Sequence, residues 1–175
     1  LGKYEIADQI EAAIELGKLK YIDQNRIGIW GWSYGGYMSS LAITKGADVF
    51  KMAIAVAPVT SWRFYDSVYT ERYMQTPQEN ANGYDQNSPL NFAHLLKGDY
   101  LLIHGSGDDN VHVQNSMRMV NALVKENKDF DFFIYPDRSH GINEGENTRL
   151  HLFEKMTKFI HESLGKSETV SSTNP

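Results

Sequence analysis

Apolar residues recur at helical spacing near the start of the chain. Ile6, Ile10, Ala13 and Ile14 share one face, which predicts an amphipathic helix over 3–19 with Gly17 as a stop. The pattern then changes to continuous apolar runs closed by breakers. Residues 26–31 (Arg-Ile-Gly-Ile-Trp-Gly) read as a buried strand entering a Gly-rich turn, and 52–57 as a second strand stopped by Pro58. A helix over Tyr34–Lys45, ending near Gly46, lies between them. Asp99–His104 predicts a third strand, with Gly105 and Gly107 beyond it, and Phe130–Tyr135 a fourth, stopped by Pro136. Helical spacing returns over Gln114–Lys125, with Met117, Val120, Leu123 and Val124 as the apolar side. It returns again over 147–163, with Leu150, Phe153, Met156, Phe159 and Ile160 inward.

Such runs fit strands covered on both faces, and their alternation with helices predicts an α/β fold with a mainly parallel sheet. Four strands around one core predict a single domain over 1–164. Two stretches fall outside the alternation. Residues 60–97 are aromatic and irregular, with 75–90 (Gln, Pro, Asn, Gly, Asp, Ser) expected as an extended loop. The polar, Ser/Thr-rich tail 165–175 is expected to be disordered.

Composition excludes more than it assigns. The 175-residue chain has a net charge of −5 and no basic run, so it lacks the clustered Lys and Arg of a nucleic-acid surface. It has no cysteine, hence no disulfide and no thiolate metal site, and this leaves the compartment open. No apolar run approaches the ~18 residues of a membrane helix. No metal-type His/carboxylate spacing appears, and neither a metal nor another cofactor is expected. Leu1 is not an initiator Met and the chain starts inside a helical pattern, so it reads as a piece of something longer.

The candidate chemistry starts at Gly31-Trp32-Ser33-Tyr34-Gly35-Gly36, a Gly-x-Ser-x-Gly between a predicted strand and a predicted helix. That context holds a serine above the sheet on a strained turn, with side chains at 31 and 35 expected to collide with their neighbours. The Tyr34 amide, at the helix start, then faces the place where an oxyanion forms. The bland alternative is a serine in a Gly-rich turn without chemistry. A serine nucleophile needs a base, and the base an orienting acid, in the chain order Ser, acid, His for this arrangement. Asp108 and Asp109 follow the third strand and His140 the fourth, all at the sheet end where sites assemble. Neighbouring side chains cannot both reach the imidazole, and spacing does not choose between the two aspartates. Among the other histidines, His104 reads as a buried, hydrogen-bonded strand residue. His94, His151 and His161 read as surface residues on helices. His112 comes too soon after the acid to compete with His140.

Beyond that motif, the run Tyr-Asp-Ser-Val-Tyr-Thr-Glu-Arg-Tyr-Met at 65–74 is far more specific. With Gly-Trp-Ser-Tyr-Gly-Gly-Tyr at 31–37, Leu-Leu-Ile-His-Gly at 101–105, Asp-Asp-Asn-Val-His at 108–112 and Asp-x-x-His-Gly at 137–141, it resembles the dipeptidyl peptidase IV and fibroblast activation protein family over about 1–164. The resemblance implies part of an α/β-hydrolase fold, a Ser33–Asp108–His140 triad and release of dipeptides with Pro or Ala at the second position. It implies a proline-sized pocket walled by Tyr34, Val59, Trp62, Tyr65, Tyr69 and Val111, with Asn110 bonding a substrate carbonyl. A flat apolar ring suits aromatic walls. The competing reading of these aromatics is core packing, favoured for Trp62 alone.

The resemblance also implies what this chain lacks. The family has further strands before the nucleophile strand, with a tyrosine that completes the oxyanion hole. It has a β-propeller whose paired glutamates hold the substrate's amino terminus. Homodimerisation and a periplasmic or cell-surface location are further implications. The fragment alone is expected to be inactive, and strand 26–31 to present an open edge to a second copy. A related acylaminoacyl peptidase or esterase shares the triad, although the 65–74 run argues against it. A catalytically silent interaction module is the reading from another class, and the presence of Ser33, Asp108 and His140 argues against that.

Overall fold

A computed structural model describes residues 1–165, so the expected disorder of 165–175 falls, beyond Gly165, outside the described residues. Four strands form one parallel sheet in the order β1 (Gly28–Trp32), β2 (Met52–Val56), β3 (Asp99–Gly105), β4 (Asp131–Tyr135). The partners Trp32↔Val56, Val56↔Ile103 and Gly105↔Tyr135 bring the carboxyl ends of all four strands to one edge. No helix of the described residues is long and apolar enough to cross a membrane.

Alternation along the strands divides the core in two, as the two-residue period of a strand requires. Ala53, Ala55, Tyr100 and Leu102 face α1 (Tyr4–Gly17), α2 (Tyr34–Lys45), α5 (Gln114–Lys125) and the 58–96 segment. Met52, Ile54, Val56, Leu101 and Ile103 face α6 (Thr148–Leu164) through Leu152, Met156 and Phe159. Helix α2 is buried along Gly36–Thr44, between the strands on one side and α1 and the Pro89–Leu95 turn on the other. Its polar residues survive there because each hydroxyl has a partner: Ser39 and Ser40 donate to the carbonyls of Gly35 and Gly36 at 3.0 and 2.8 Å, and Ser40 also meets the Tyr100 hydroxyl at 2.8 Å. Strand β1 pairs only with β2 and lies at the sheet edge, with Trp30 52% exposed.

Five sequence expectations need correction. Residues 75–90 are not all loop: α4 (Ala81–Gln86) forms there, capped by Asn80 Oδ1 on the Gly83 amide and anchored by buried Tyr84, whose hydroxyl donates to the Gln75 carbonyl at 2.7 Å. The 65–74 run, part of the stretch read as irregular, contains α3 (Ser67–Met74), capped by Asp66 on the Tyr69 amide. In α5 the buried side is Asn115, Ser116, Met119 and Leu123, while Met117 and Val124 are exposed. Polar residues occupy its inward positions because they bond inside the core: Asn115 takes the Thr60 amide, and Ser116 meets His104. In α6, Leu152 turns inward and Leu150 and Phe153 turn out. Phe153 instead lies under the Arg149 guanidinium, 4.9 Å from its centroid. In α1, Ile6 and Ala13 are buried but Ile14 is exposed.

Candidate active site

Strand β1 runs directly into α2 with a single residue between them, Ser33, at φ 58° and ψ −114°. A non-glycine residue at positive φ is held there by its surroundings. The Ser33 amide donates to the Val56 carbonyl at 2.9 Å, and its carbonyl accepts from the Tyr37 amide at 3.0 Å. A side chain on Gly31 would meet the Gly35 backbone at 2.2 Å, and one on Gly36 would meet Pro58 at 2.9 Å. Gly35 itself has open space around its would-be Cβ, so the close approaches belong to 31 and 36 rather than 31 and 35. Tyr34 opens α2, where the first amides of a helix have no intrahelical acceptor and carry the positive end of its dipole.

Asp108 is buried and its side chain has no exposure. Its Oδ1 accepts from the amides of Asn110 and Val111 at 3.0 and 2.9 Å. Its Oδ2 lies 2.7 Å from His140 Nδ1 and 3.3 Å from His104 Nε2. Burial alone would push this carboxyl up. The hydrogen bonds from His104 and His140, the charge of His140 and the Asn110 amide outweigh it and hold the group well below the usual carboxylate range. Asp109, the other aspartate, is exposed. With Nδ1–H directed at Asp108, the ring of His140 presents Nε2 as a proton acceptor.

The loop that carries His140 is tied to the Ser33 turn by a contact that sequence reading missed. The Trp32 indole Nε1 donates to the His140 carbonyl at 2.9 Å. Arg149 of α6 stacks over the Trp32 ring, 5.2 Å from its centroid, and donates to the Gly141 carbonyl at 3.0 Å. Trp32 occupies the variable position of Gly-x-Ser-x-Gly, so only its large side chain with one donor could have drawn attention to it. His112 and His94 are exposed, and His104 is fully buried.

The residues expected to wall a pocket lie together. Trp62 stacks on Tyr69 at 5.8 Å, and Tyr65 meets both edge-on at 6.0 and 5.3 Å. Tyr34 packs on Trp62 at 5.8 Å. Trp62, Val59 and Val111 are buried, whereas Tyr34, Tyr65 and Tyr69 are partly exposed, so the first three form a floor under the tyrosines. Tyr65 donates to Asn110 Oδ1 at 2.8 Å, which leaves the exposed Asn110 amide nitrogen free to donate elsewhere. The Tyr34 hydroxyl donates to Glu5 Oε1 at 3.1 Å, and burial with the Glu5 charge pushes that phenol far up, so it stays protonated. No group of three or more His, Cys, Asp or Glu that could hold a metal occurs among the described residues.

The prolyl oligopeptidase family model matches residues 1–167. The chain belongs to the prolyl oligopeptidase family. Within it, the chain is 48% identical over 163 residues to dipeptidyl peptidase 4 of Felis catus, covering 91% of this chain and 21% of that protein. It is 47% identical over 171 residues to the human prolyl endopeptidase FAP, covering 96% and 22%. The crystal structure of Porphyromonas gingivalis dipeptidyl peptidase 4 superposes with a TM-score of 0.91 at 54% identity, over 94% of this chain and 23% of that one. The chain thus spans about a fifth of the length of the curated relatives it matches, and its sheet is part of an α/β-hydrolase fold.

Proposed function

We propose that residues 1–164 are the carboxy-terminal part of the catalytic domain of a serine dipeptidyl peptidase that releases Xaa-Pro and Xaa-Ala from peptide amino termini. The observation that carries this is the Asp108–His140 contact at 2.7 Å, at the sheet edge where Ser33 sits on a strained turn. In the proposed cycle, Ser33 Oγ attacks the carbonyl carbon of the second substrate residue while His140 Nε2 takes its proton. The Tyr34 amide donates to the oxyanion. His140 then protonates the departing amine, leaving an acyl-enzyme on Ser33, and a water activated by the same nitrogen hydrolyses it. Asp108 orients the imidazole throughout. Tyr34, Val59, Trp62, Tyr65, Tyr69 and Val111 shape the site for a pyrrolidine or methyl group, and Asn110 donates to the preceding carbonyl.

The substrate's free amino terminus and the second oxyanion donor are assigned to the rest of a longer chain, including a propeller domain, in a periplasmic or cell-surface enzyme. The present segment alone is then nearly inactive, since one lost oxyanion donor typically costs ~10²–10³ in rate. Turnover of Gly-Pro-anilide by the full-length protein and by this chain, side by side, tests both statements. Activity of the chain within about tenfold of the full-length protein would sink the second. Preference of the full-length protein for an acetylated amino acid anilide would replace the first with acylaminoacyl peptidase activity.

The enzyme is proposed to be a homodimer, with exposed Leu150 and Phe153 of α6 on the contact. The isolated chain has a separate route to self-association through β1, whose free edge carries no charge after Arg26. Sedimentation of the isolated chain should show a dimer; a stable monomer in dilute solution would exclude pairing through β1.

A further inference from the structure

His104 is a fully buried titratable group to which the proposed cycle gives no task. It lies on β3, four residues before Asp108. Its Nε2 is 2.7 Å from the Val111 carbonyl and 3.3 Å from Asp108 Oδ2. Both neighbours are acceptors, so Nε2 carries the proton. Its Nδ1 is 2.6 Å from Ser116 Oγ of α5, a hydroxyl able to donate to it. Asp108 Oδ2 therefore meets two imidazoles from different elements, while Oδ1 is taken by two amides of its own loop.

We propose that His104 is a positioning residue: its Nε2–H forks between the Val111 carbonyl and Asp108 Oδ2, fixing the orienting carboxylate and the Val111 part of the pocket as one piece. The inference rests on the triad assignment above. The contact has an electronic side as well as a steric one. A donor on Oδ2 withdraws negative charge from the carboxylate on which an imidazolium at His140 depends. Removing it leaves more charge facing His140, favours the protonated ring, and moves the acid limb of kcat/KM to higher pH. The other charged groups on or tied to the loop that carries His140 are Arg149 from α6 and Asp137, Arg138 and Glu144 on the loop itself, and the test leaves them untouched.

The test uses the full-length protein on Gly-Pro-anilide across the neutral pH range. His104→Phe should lower kcat by on the order of 10–100-fold, as loss of an outer partner does at metal-binding histidines. KM should change less than kcat, through the Val111 wall alone, and the acid limb should rise by several tenths of a pH unit. His104→Gln, whose amide nitrogen stands where Nε2 stood, should restore the limb and most of the rate. A folded His104→Phe with an unshifted limb and near-normal kcat would overturn the proposal, and so would His104→Gln as impaired as His104→Phe. Neutron diffraction from crystals of the wild-type protein decides independently of whether the variants fold. A deuteron on His104 Nε2 supports the fork; a bare Nε2 overturns it. A wild-type protein inactive on every anilide would remove the peptidase reading, with the neutron result still deciding the fork.

Discussion

The acid loop after β3 and the histidine loop after β4 leave adjacent strands and touch each other, yet their functional side chains are held differently. The acid loop fixes its carboxylate largely from its own backbone, with His104 of β3 beside it, while its Ser106 and Gly107 amides donate to the Tyr135 and Arg138 carbonyls at 2.9 and 3.1 Å. Asp108 takes the amides of Asn110 and Val111, its own amide returns to the Gly105 carbonyl, and Val111 seals it from beneath. The histidine loop depends on other elements. His140 is 22% exposed, Asp137 and Ile142 sit at positive φ, and the chain is tied down by Trp32 of β1 and Arg149 of α6. A carboxylate that must stay ionised and fixed gains from short local contacts, because they survive whatever the neighbouring loops do. The proposed base, which has to accept and return a proton, is placed in part by Trp32, the residue next to the proposed nucleophile Ser33.

The sharpest way to test this division is at the aspartate pair. In the full-length protein Asp108→Asn should reduce kcat by ~10⁴, because an amide NH₂ facing His140 favours the wrong tautomer while the loop bonds through Oδ1 persist. Asp109→Asn, at an exposed neighbour, should leave kcat within about threefold. The reverse result, with Asp109 the sensitive position, would remove both the acid assignment and the comparison built on it.

Next in size is a pH effect on stability. Hydrogen bonds and the His140 charge prevail over burial and keep the folded Asp108 carboxyl below its unfolded value of ~3.9. A depressed carboxyl contributes stability that is complete above the unfolded value and is lost as pH falls toward the folded one. Below about pH 4 the wild-type protein should therefore lose thermal stability more steeply than Asp108→Asn, which has no carboxyl to protonate there. Equal slopes in acid would show that the loop does not hold the carboxylate as its geometry implies. A carboxyl held this far down stays ionised across the neutral range and does not set an acid limb of activity there.

Much of this architecture is legible in the chain. The continuous apolar runs at 52–57 and 99–104 become β2 and β3, since strands covered on both faces need no polar side. The tight Ser33 turn is visible because glycine is forced at 31 by the Gly35 backbone and at 36 by Pro58. What stayed hidden is tertiary. Ser116 and Asn115 face inward in α5 because distant partners satisfy them, and no period of apolar residues reports that. Helix α4 depends on Asn80 and Tyr84 in a stretch whose Asn, Gly and Asp content reads as loop. His104 could be read as buried, but its partnership with Asp108 depends on how the acid loop folds back over β3.

The smallest effect tests the histidine loop and asks whether its two external ties form one device. Trp32→Phe keeps a ring under Arg149 but removes the donor to the His140 carbonyl, and should lower kcat about tenfold, the value of one hydrogen bond of roughly 1.4 kcal/mol. Arg149→Ala removes an exposed cation stacked on that ring together with the bond to Gly141, and should cost only about 2–5-fold, in keeping with ~0.5–1 kcal/mol for such a contact at the surface. Because both act on the same loop, 136–147, and meet at the same indole, the double variant should lose less than the product of the single losses. Multiplicative losses for Trp32→Phe with Arg149→Ala would mean that the base is fixed by two separate anchors rather than by one clamp built on Trp32.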